Sequence, residues 1–314
     1  MGDPETIHFG LIPRTNRGIF AINELPDLAE RIQVALLNVL EERDIQVRGY
    51  SLRLPLDLLV VASANPEDYT NRGRIITPLK DRFGAEIRTH YPLDLALEVQ
   101  LLKQEAVIAA VVPHHILDVV ARFATMVRES NSVDQRSGVS ARFSIACIEE
   151  LSGAALRRAA INGDREPVVR IGDLADVVPS LRGKVEFELA QEGAEIETLS
   201  LLARQATAAS WRAFFGGQST RVFLTNLVTW FDSGNTLATS DLMSSDEILT
   251  AVGPMEGLGS LLSAAESELA ESPGLVAACI EFATEGLWLT RRIDKDESNR
   301  RRTYAASAPA GQPE

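Results

Sequence analysis

Cysteine and histidine are scarce in this sequence. It has two cysteines, Cys147 and Cys279, which lie far apart among apolar neighbours, and only four histidines. This distribution indicates neither a disulfide framework nor a zinc site, and it fits a reducing cytoplasm. The adjacent His114 and His115 would point in two directions on a helix, so we expect both to be surface residues rather than metal ligands.

Long apolar runs are also missing. No stretch approaches the run of about 18 apolar residues that a membrane-spanning helix needs, and the N-terminal residues lack the basic and apolar regions of a signal peptide. The remaining composition is that of a globular protein, with 45% hydrophobic and 24% charged residues among 314. We therefore expect a cytoplasmic protein with no membrane-spanning segment.

Basic residues are outnumbered by acidic ones. The sequence has 31 Lys and Arg residues against 44 Asp and Glu residues, which gives a formal net charge of -13 and a pI near 4.9. A surface of this sign repels a polyanion, so nucleic-acid binding is disfavoured. A local group of basic residues, Arg72, Arg74 and Lys80, keeps that function open as a third possibility.

Two short apolar runs near the start of the chain each end in polar residues. Residues 18–22 are followed by Asn23 and Glu24, and residues 56–64 are followed by Asn65. These runs predict strands of a parallel sheet that are buried on both faces, and ligands bind such a sheet at the carboxyl ends of its strands. Alternating residues over 45–54 predict a β-hairpin with Gly49 in its turn.

A helix is predicted between the first strand and the hairpin. Its apolar residues recur at helical spacing and predict one buried stripe, composed of Ile32, Ala35, Leu36, Val39 and Leu40. Strand, helix, hairpin and strand together predict an α/β fold for residues 1–92.

The rest of the sequence has mainly helical periodicity. We predict a helical domain over residues 93–185 and a helical extension over 186–296. Residues 297–314 are rich in Arg and then in Ala, Ser, Pro and Gly, which predicts a disordered tail. The expected fold class is therefore an α/β core with a parallel sheet, followed by mostly α-helical parts, and helix-rich overall.

Several motifs follow one another in a specific order and spacing over about the first 145 residues, namely Gly10–Leu28, Leu36–Glu42, Ala62–Pro66, Thr77–Phe83 and Gly138–Arg142. They resemble, in the same order, the Walker B region, the helix before the hairpin, the sensor 1 strand, the arginine-finger segment and the sensor 2 segment of AAA+ ATPases of the magnesium chelatase subunit I and MoxR-like group. The resemblance implies a partial P-loop NTPase core with a helical lid, and ATP and Mg²⁺ as cofactors.

The resemblance also implies roles for single residues. Glu24 looks like the catalytic glutamate that polarises the attacking water, and Asn65 looks like sensor 1, which orients that water. Arg82 looks like the arginine finger for the neighbouring subunit's nucleotide, and Arg142 looks like sensor 2. Asn23 stands where the family usually has the Walker B aspartate, so it can offer Mg²⁺ an uncharged oxygen, while Glu24 holds water bound to the metal.

Each of these roles has a structural alternative. Glu24 could be an acid stabilised by a helix N-terminus, and Asn65 could be part of an Asn-Pro turn at a strand end. Arg82 could form a surface salt bridge, and Arg142 could be a solvated arginine on a helix.

The phosphate-binding motif of the family is absent. No Gly-x-x-x-x-Gly-Lys-Ser/Thr segment occurs in the sequence, and only 17 residues precede Gly18, although the family places this motif before Walker B. We therefore expect a chain that starts within the AAA+ domain and is inactive alone. Unpaired strand edges would then predict poor solubility or partnership with another polypeptide.

The resemblance implies an ATPase that remodels a partner protein. ATP binding and hydrolysis would take place in a homo-oligomeric ring, expected to be a hexamer. Resemblance to chelatase subunit I implies a partner with a von Willebrand A domain. The alternative is a non-enzymatic, degenerate AAA+ scaffold or regulatory subunit.

Overall fold

The computed structural model divides the chain into two compact units, Met1–His90 and Tyr91–Glu314. A parallel pair of strands lies in the first unit, and helices make up most of the second. The predicted fold class, an α/β part followed by a mainly helical part, is therefore confirmed. The structure describes residues 9–46, 53–65, 74–135, 137–188, 193–218, 220–259, 272–298 and 301–307.

The first unit is built around two parallel strands, β1 (Ile19–Ile22) and β4 (Leu59–Ala62). They pair in register, with Ile19 beside Leu59 and Ile22 beside Ala62. In chain order, the elements of this unit are α1 (Leu11–Arg14), β1 (Ile19–Ile22), a 3-10 turn (Leu25–Asp27), α2 (Glu30–Glu42), β2 (Asp44–Gln46), β3 (Arg53–Pro55), β4 (Leu59–Ala62) and α3 (Thr77–Arg82). Strands β2 and β3 pair antiparallel, as the hairpin prediction requires, and Gly49 lies outside the described residues.

The two faces of the β1–β4 pair differ in burial. Phe20, Ile22 and Val60 pack with Leu25 and Leu36 in a small hydrophobic core. On the other face, Ile19 is 66% and Leu59 60% exposed. The prediction of strands buried on both faces is therefore wrong, because the described residues of this unit cover only one face.

The buried stripe of α2 agrees with the prediction in part, since Leu36 and Val39 are buried as expected. Gln33, Leu36 and Val39 are buried, whereas Ile32 is 43% exposed. Gln33 can be buried because its amide is satisfied: Nε2 donates to Leu28 O and Arg74 O, and Oε1 accepts from the backbone of Ile76. These bonds fix the segment that leads into α3.

The second unit packs its helices and a three-stranded sheet around one hydrophobic core, which extends from Val99 to Tyr304. This core includes residues on both sides of the predicted boundary between 185 and 186, and that boundary stays a prediction. The helices are α4 (Leu95–Glu105), α5 (His114–Glu129), α6 (Arg142–Asn162), α7 (Asp173–Val177), a 3-10 helix (Val178–Lys184), α8 (Glu195–Phe215), α9 (Arg221–Asp232), α10 (Ser245–Val252) and α11 (Pro273–Leu289).

The segment predicted as a disordered tail contributes to a sheet. Strands β6 (Ile293–Ser298) and β7 (Arg301–Ala306) pair antiparallel, and β5 (Leu237–Ser240) pairs with the other side of β7. The disorder prediction is therefore wrong for the described residues up to Ala306. The segment is ordered because one face of β7, which carries Arg302 and Tyr304, is buried. Residues 308–314 lie outside the described residues.

Two further expectations concern single residues and membranes. His114 is exposed, but His115 is buried against Phe214 and Phe282, so the surface prediction is wrong for His115.

Cys147 and Cys279 are both free and buried, and burial raises the pKa of each thiol to about 12. None of the helices within the described ranges is long and apolar enough to cross a membrane.

Candidate functional site

Glu24 lies just beyond the carboxyl end of β1, with its side chain exposed. Its backbone is in the left-handed region, with φ 53° and ψ 54°. This conformation is uncommon for a residue with a Cβ, and it persists where surrounding contacts hold it. The neighbouring strand supplies those contacts.

Ser63, which directly follows β4, holds the chain on both sides of Glu24. The backbone N–H of Glu24 donates to Ser63 Oγ at 3.1 Å, and the N–H of Leu25 donates to Ser63 O at 2.9 Å. In the opposite direction, the N–H of Ser63 donates to Ile22 O at 2.8 Å. These three bonds fix the turn that presents the carboxylate.

The other predicted residues of the first unit's sheet lie at the same edge. Asn23 directly follows β1, and Asn65 lies two residues beyond Ser63; both are exposed. Because β1 and β4 are parallel, their carboxyl ends meet, and the bonds between Ser63 and the Glu24 turn show this directly. The structure therefore brings Asn23, Glu24 and Asn65 together at one sheet edge.

Arg82 is the last residue of α3, and its ion-pair partners are carboxylates. Its Nη2 lies 2.7 Å from Glu41 Oε1 on α2, and its Nη1 lies 3.4 Å from Asp81 Oδ2. The Arg82 side chain is 41% exposed, so solvent screens both pairs, and exposed pairs of this kind contribute little stability. Arg82 can therefore leave Glu41 for another anion at little cost.

Arg142 belongs to the second unit. It is the first residue of α6, it is exposed, and its backbone N–H donates to Ser140 Oγ at 3.1 Å. The predicted residues are thus divided between the units, with Asn23, Glu24, Asn65 and Arg82 in the first and Arg142 in the second.

The donors at the sheet edge fit a magnesium ion that is held mainly by water and phosphate. Asn23 and Glu24 offer an amide and a carboxylate oxygen, and hard oxygen ligands of this kind suit Mg²⁺, which keeps several waters. The described residues contain no group of three or more His, Cys, Asp or Glu side chains that could hold a metal by themselves.

Sequence reasoning missed two residues that position this site. Ser63 holds the turn at Glu24, and Gln33 holds the segment before α3. Each has a weak signal in the sequence: Ser63 is a small hydroxyl residue at a strand end, two residues before Asn65, and Gln33 is a polar residue within an apolar helix face. Neither signal specifies the distant partners, which are backbone atoms about 40 residues away.

A protein-family comparison matches the first unit. Residues 3–82 match the model described as the Sigma-54 interaction domain, which is an AAA+ family. The matched segment resembles an AAA+ domain. It contains Asn23, Glu24, Asn65 and Arg82, so the match supports an AAA+ ATPase type for this part of the chain. The finer assignment to the magnesium chelatase subunit I and MoxR-like group stays a prediction.

Two solved structures are similar to the chain at low identity. An ATPase candidate from Cytophaga hutchinsonii is 17% identical over 58% of this chain, with a TM-score of 0.25. NtrX from Brucella abortus, in complex with ADP, is 16% identical over 78% of this chain, with a TM-score of 0.33. The chain spans 64% and 51% of these two structures, respectively. With TM-scores this low, neither similarity bears on the activity of this chain. No curated protein matches it.

Proposed function

We propose that the chain supplies the water-activating part of an AAA+ ATP-hydrolysis site. The observation that carries this proposal is the turn at the ends of β1 and β4. There, three hydrogen bonds with Ser63 hold the turn in which Glu24 has a left-handed conformation, and Asn65 lies two residues beyond Ser63. A carboxylate and an amide at the carboxyl ends of adjacent parallel strands are the groups needed to activate and orient a water.

The proposal assigns a task to each of the predicted residues. The Glu24 carboxylate accepts the proton of the water that attacks the γ-phosphate, and the Asn65 side chain orients that water by hydrogen bonding. Arg142 contacts the phosphates of its own subunit, and Arg82 reaches the nucleotide of a neighbouring subunit. Asn23 and Glu24 would face Mg²⁺, which neutralises phosphate charge when bound with ATP.

The phosphate cradle is the part of the site that these residues do not provide. The sequence contains no Gly-x-x-x-x-Gly-Lys-Ser/Thr segment, whose backbone amides and lysine would bind the phosphates. We therefore propose that hydrolysis takes place only where residues other than these 314 supply such a cradle to the ring, and that the 314-residue chain alone is inactive.

Two kinds of partner are consistent with a ring ATPase of this type. Resemblance to the chelatase and MoxR-like group favours a homo-oligomeric ring, proposed to be a hexamer, that remodels a protein with a von Willebrand A domain. The family match at residues 3–82 instead favours a sigma-54 factor as the partner, since the matched model is described as a Sigma-54 interaction domain.

A non-enzymatic scaffold is the second candidate function. It is favoured by Asn23, which lacks the charge of the usual aspartate, and by the missing phosphate-binding motif. Phosphate release from Mg²⁺·ATP separates the two candidates when the protein is purified from its own cells in the assembly that it forms there. We expect release above that of a mock purification and its loss with EDTA. No release from an assembly that contains the protein would favour the scaffold.

A further inference from the structure

The segment that leads into Arg142 is held by a buried ion pair between two other helices. Glu98 of α4 and Arg128 of α5 form two parallel hydrogen bonds, with Nη1 donating to Oε2 at 2.7 Å and Nη2 to Oε1 at 3.0 Å. Both side chains are at least nine-tenths buried. A bidentate pair of this kind fixes orientation as well as charge.

Arg128 and Tyr91 each form a hydrogen bond with the backbone of Val139. Arg128 Nε donates to Val139 O at 3.2 Å, and the N–H of Val139 donates to Tyr91 Oη at 3.1 Å. The guanidinium also lies over the Tyr91 ring, 4.7 Å from its centroid. Val139 itself is buried, so these two side chains satisfy polar groups that water reaches poorly.

Both ends of this segment are restricted as well. Gly138 has φ +66°, and a Cβ there would lie 2.6 Å from Tyr91 Oη, so a side chain would displace the tyrosine. On the other side, Ser144 in the first turn of α6 donates to Glu98 Oε1 at 2.7 Å. Arg142 lies between the restrained Val139 and Ser144.

We propose that Tyr91, Glu98 and Arg128 are positioning residues for Arg142. They fix residues 138–144, so the first turn of α6 presents the exposed guanidinium from a preorganised backbone. Tyr91 is also the first residue of the second unit, so the point where the chain enters this unit is bonded directly to the segment before Arg142. This inference rests on the proposed contact of Arg142 with nucleotide phosphates.

Amide hydrogen exchange of the nucleotide-free chain tests the contact with Tyr91. Tyr91→Phe keeps the ring under Arg128 but removes the hydroxyl that accepts from Val139. We expect the exchange rate of the Val139 amide to rise by about 5-fold, the factor that corresponds to the loss of one typical hydrogen bond. Tyr304→Phe is the matched control, since it removes the hydroxyl of a tyrosine on β7 that donates to Glu285. It should leave Val139 unchanged. Unchanged exchange at Val139 in Tyr91→Phe would overturn the network.

Nucleotide binding tests whether the network acts through Arg142. The probe is the fluorescent analogue mant-ATP with Mg²⁺, titrated into the assembly purified from the protein's own cells, which carries the wild-type chain, Tyr91→Phe, Arg142→Ala or the double variant. Both single variants should raise the Kd, and the double variant should bind no more weakly than Arg142→Ala.

Additive effects would show that Tyr91 acts independently of Arg142 and would overturn the inference. If mant-ATP fails to bind even the wild type, the proposed role of Arg142 is wrong, and the network has no nucleotide-binding task. That outcome is distinct from failure of the exchange test, which concerns only how the segment is held.

Discussion

At the scale of single residues, His115 is a histidine kept neutral by its surroundings. Its ring stacks on Phe282 with 4.5 Å between centroids, and neither ring nitrogen has a hydrogen-bond partner among the described residues. Burial, together with a smaller effect of the neighbouring His114, lowers the pKa of His115 to about 3. The residues next to His115 in the sequence gave no sign that it is buried, because the aromatic rings that pack against it lie about 100 and 170 positions away.

The lowered pKa predicts a stability loss in mild acid. The unfolded chain binds a proton at His115 as the pH falls below about 6.5, whereas the native chain resists it until about pH 3. Across that window, His115 should therefore reduce the free energy of unfolding by about 1.4 kcal/mol for each pH unit lost.

Urea unfolding between pH 4 and 7 measures this effect. His115→Leu should lose the histidine's share of the pH dependence, and His114→Gln, at the exposed neighbouring position, should keep it. A His115→Leu variant with the same slope of stability against pH as the wild type would show that His115 is not held neutral.

At the scale of elements, strand β7 is a packed strand that the amino-acid composition did not predict. The arginine content of residues 300–302 predicted a solvated tail, but Arg302 is buried beside Glu281 of α11, and its Nε lies 3.5 Å from Glu297 Oε1. Burial raises the pKa of Glu281, and the nearby Arg170 and Arg302 oppose that rise. A buried carboxylate of this kind depends on its cations.

Removal of one cation should therefore be costly. Arg302→Ala leaves Glu281 buried with less positive charge, and we expect a loss of about 3–5 kcal/mol in the free energy of unfolding. Arg301→Ala, at the exposed neighbour on the same strand, should change it by less than about 0.5 kcal/mol. Thermal or urea unfolding measures both, and equal small effects would indicate that residues 301–306 are not part of the packed sheet.

The sequence specified local elements better than their surroundings. The polar ends of β1 and β4 were predictable because apolar strand runs stop abruptly at Asn23 and Asn65. The buried face of α2 was predicted only in part, because a satisfied amide lets Gln33 be buried while Ile32 is exposed. The hydrogen bonds of Ser63 to the Glu24 turn join segments about 40 residues apart, so local patterns could not reveal them.

At the scale of the whole molecule, the net charge of -13 says little about a nucleotide site. A few placed groups decide such a site, and the proposal depends on Glu24, Asn65, Arg82 and Arg142. The exposed apolar face around Ile19 and Leu59 also suits an assembly, since parallel strands are normally buried on both faces.

In the proposed ring, the proposed role of Arg82 in trans can be tested. Arg82→Ala should reduce hydrolysis by about 10³-fold or more while nucleotide binding is retained, because an arginine finger acts on the transition state. Rings mixed with the Glu24→Gln variant should recover activity at sites that combine an intact Glu24 with an intact Arg82 from the neighbour. Arg88→Ala, which removes an exposed arginine paired with Glu86, is the control. Lost binding in Arg82→Ala would instead indicate a role within its own subunit.

Hydrolysis by the Glu24→Gln variant tests the central claim most directly. Both this variant and Glu30→Gln, which removes an exposed carboxylate in the first turn of α2, are measured in the assembly purified from the protein's own cells. We expect Mg²⁺-dependent phosphate release to fall at least about 100-fold in Glu24→Gln, because the general base is lost, with mant-ATP binding retained. Release in Glu30→Gln should match the wild type. Undiminished phosphate release in Glu24→Gln would contradict the proposed role of this residue.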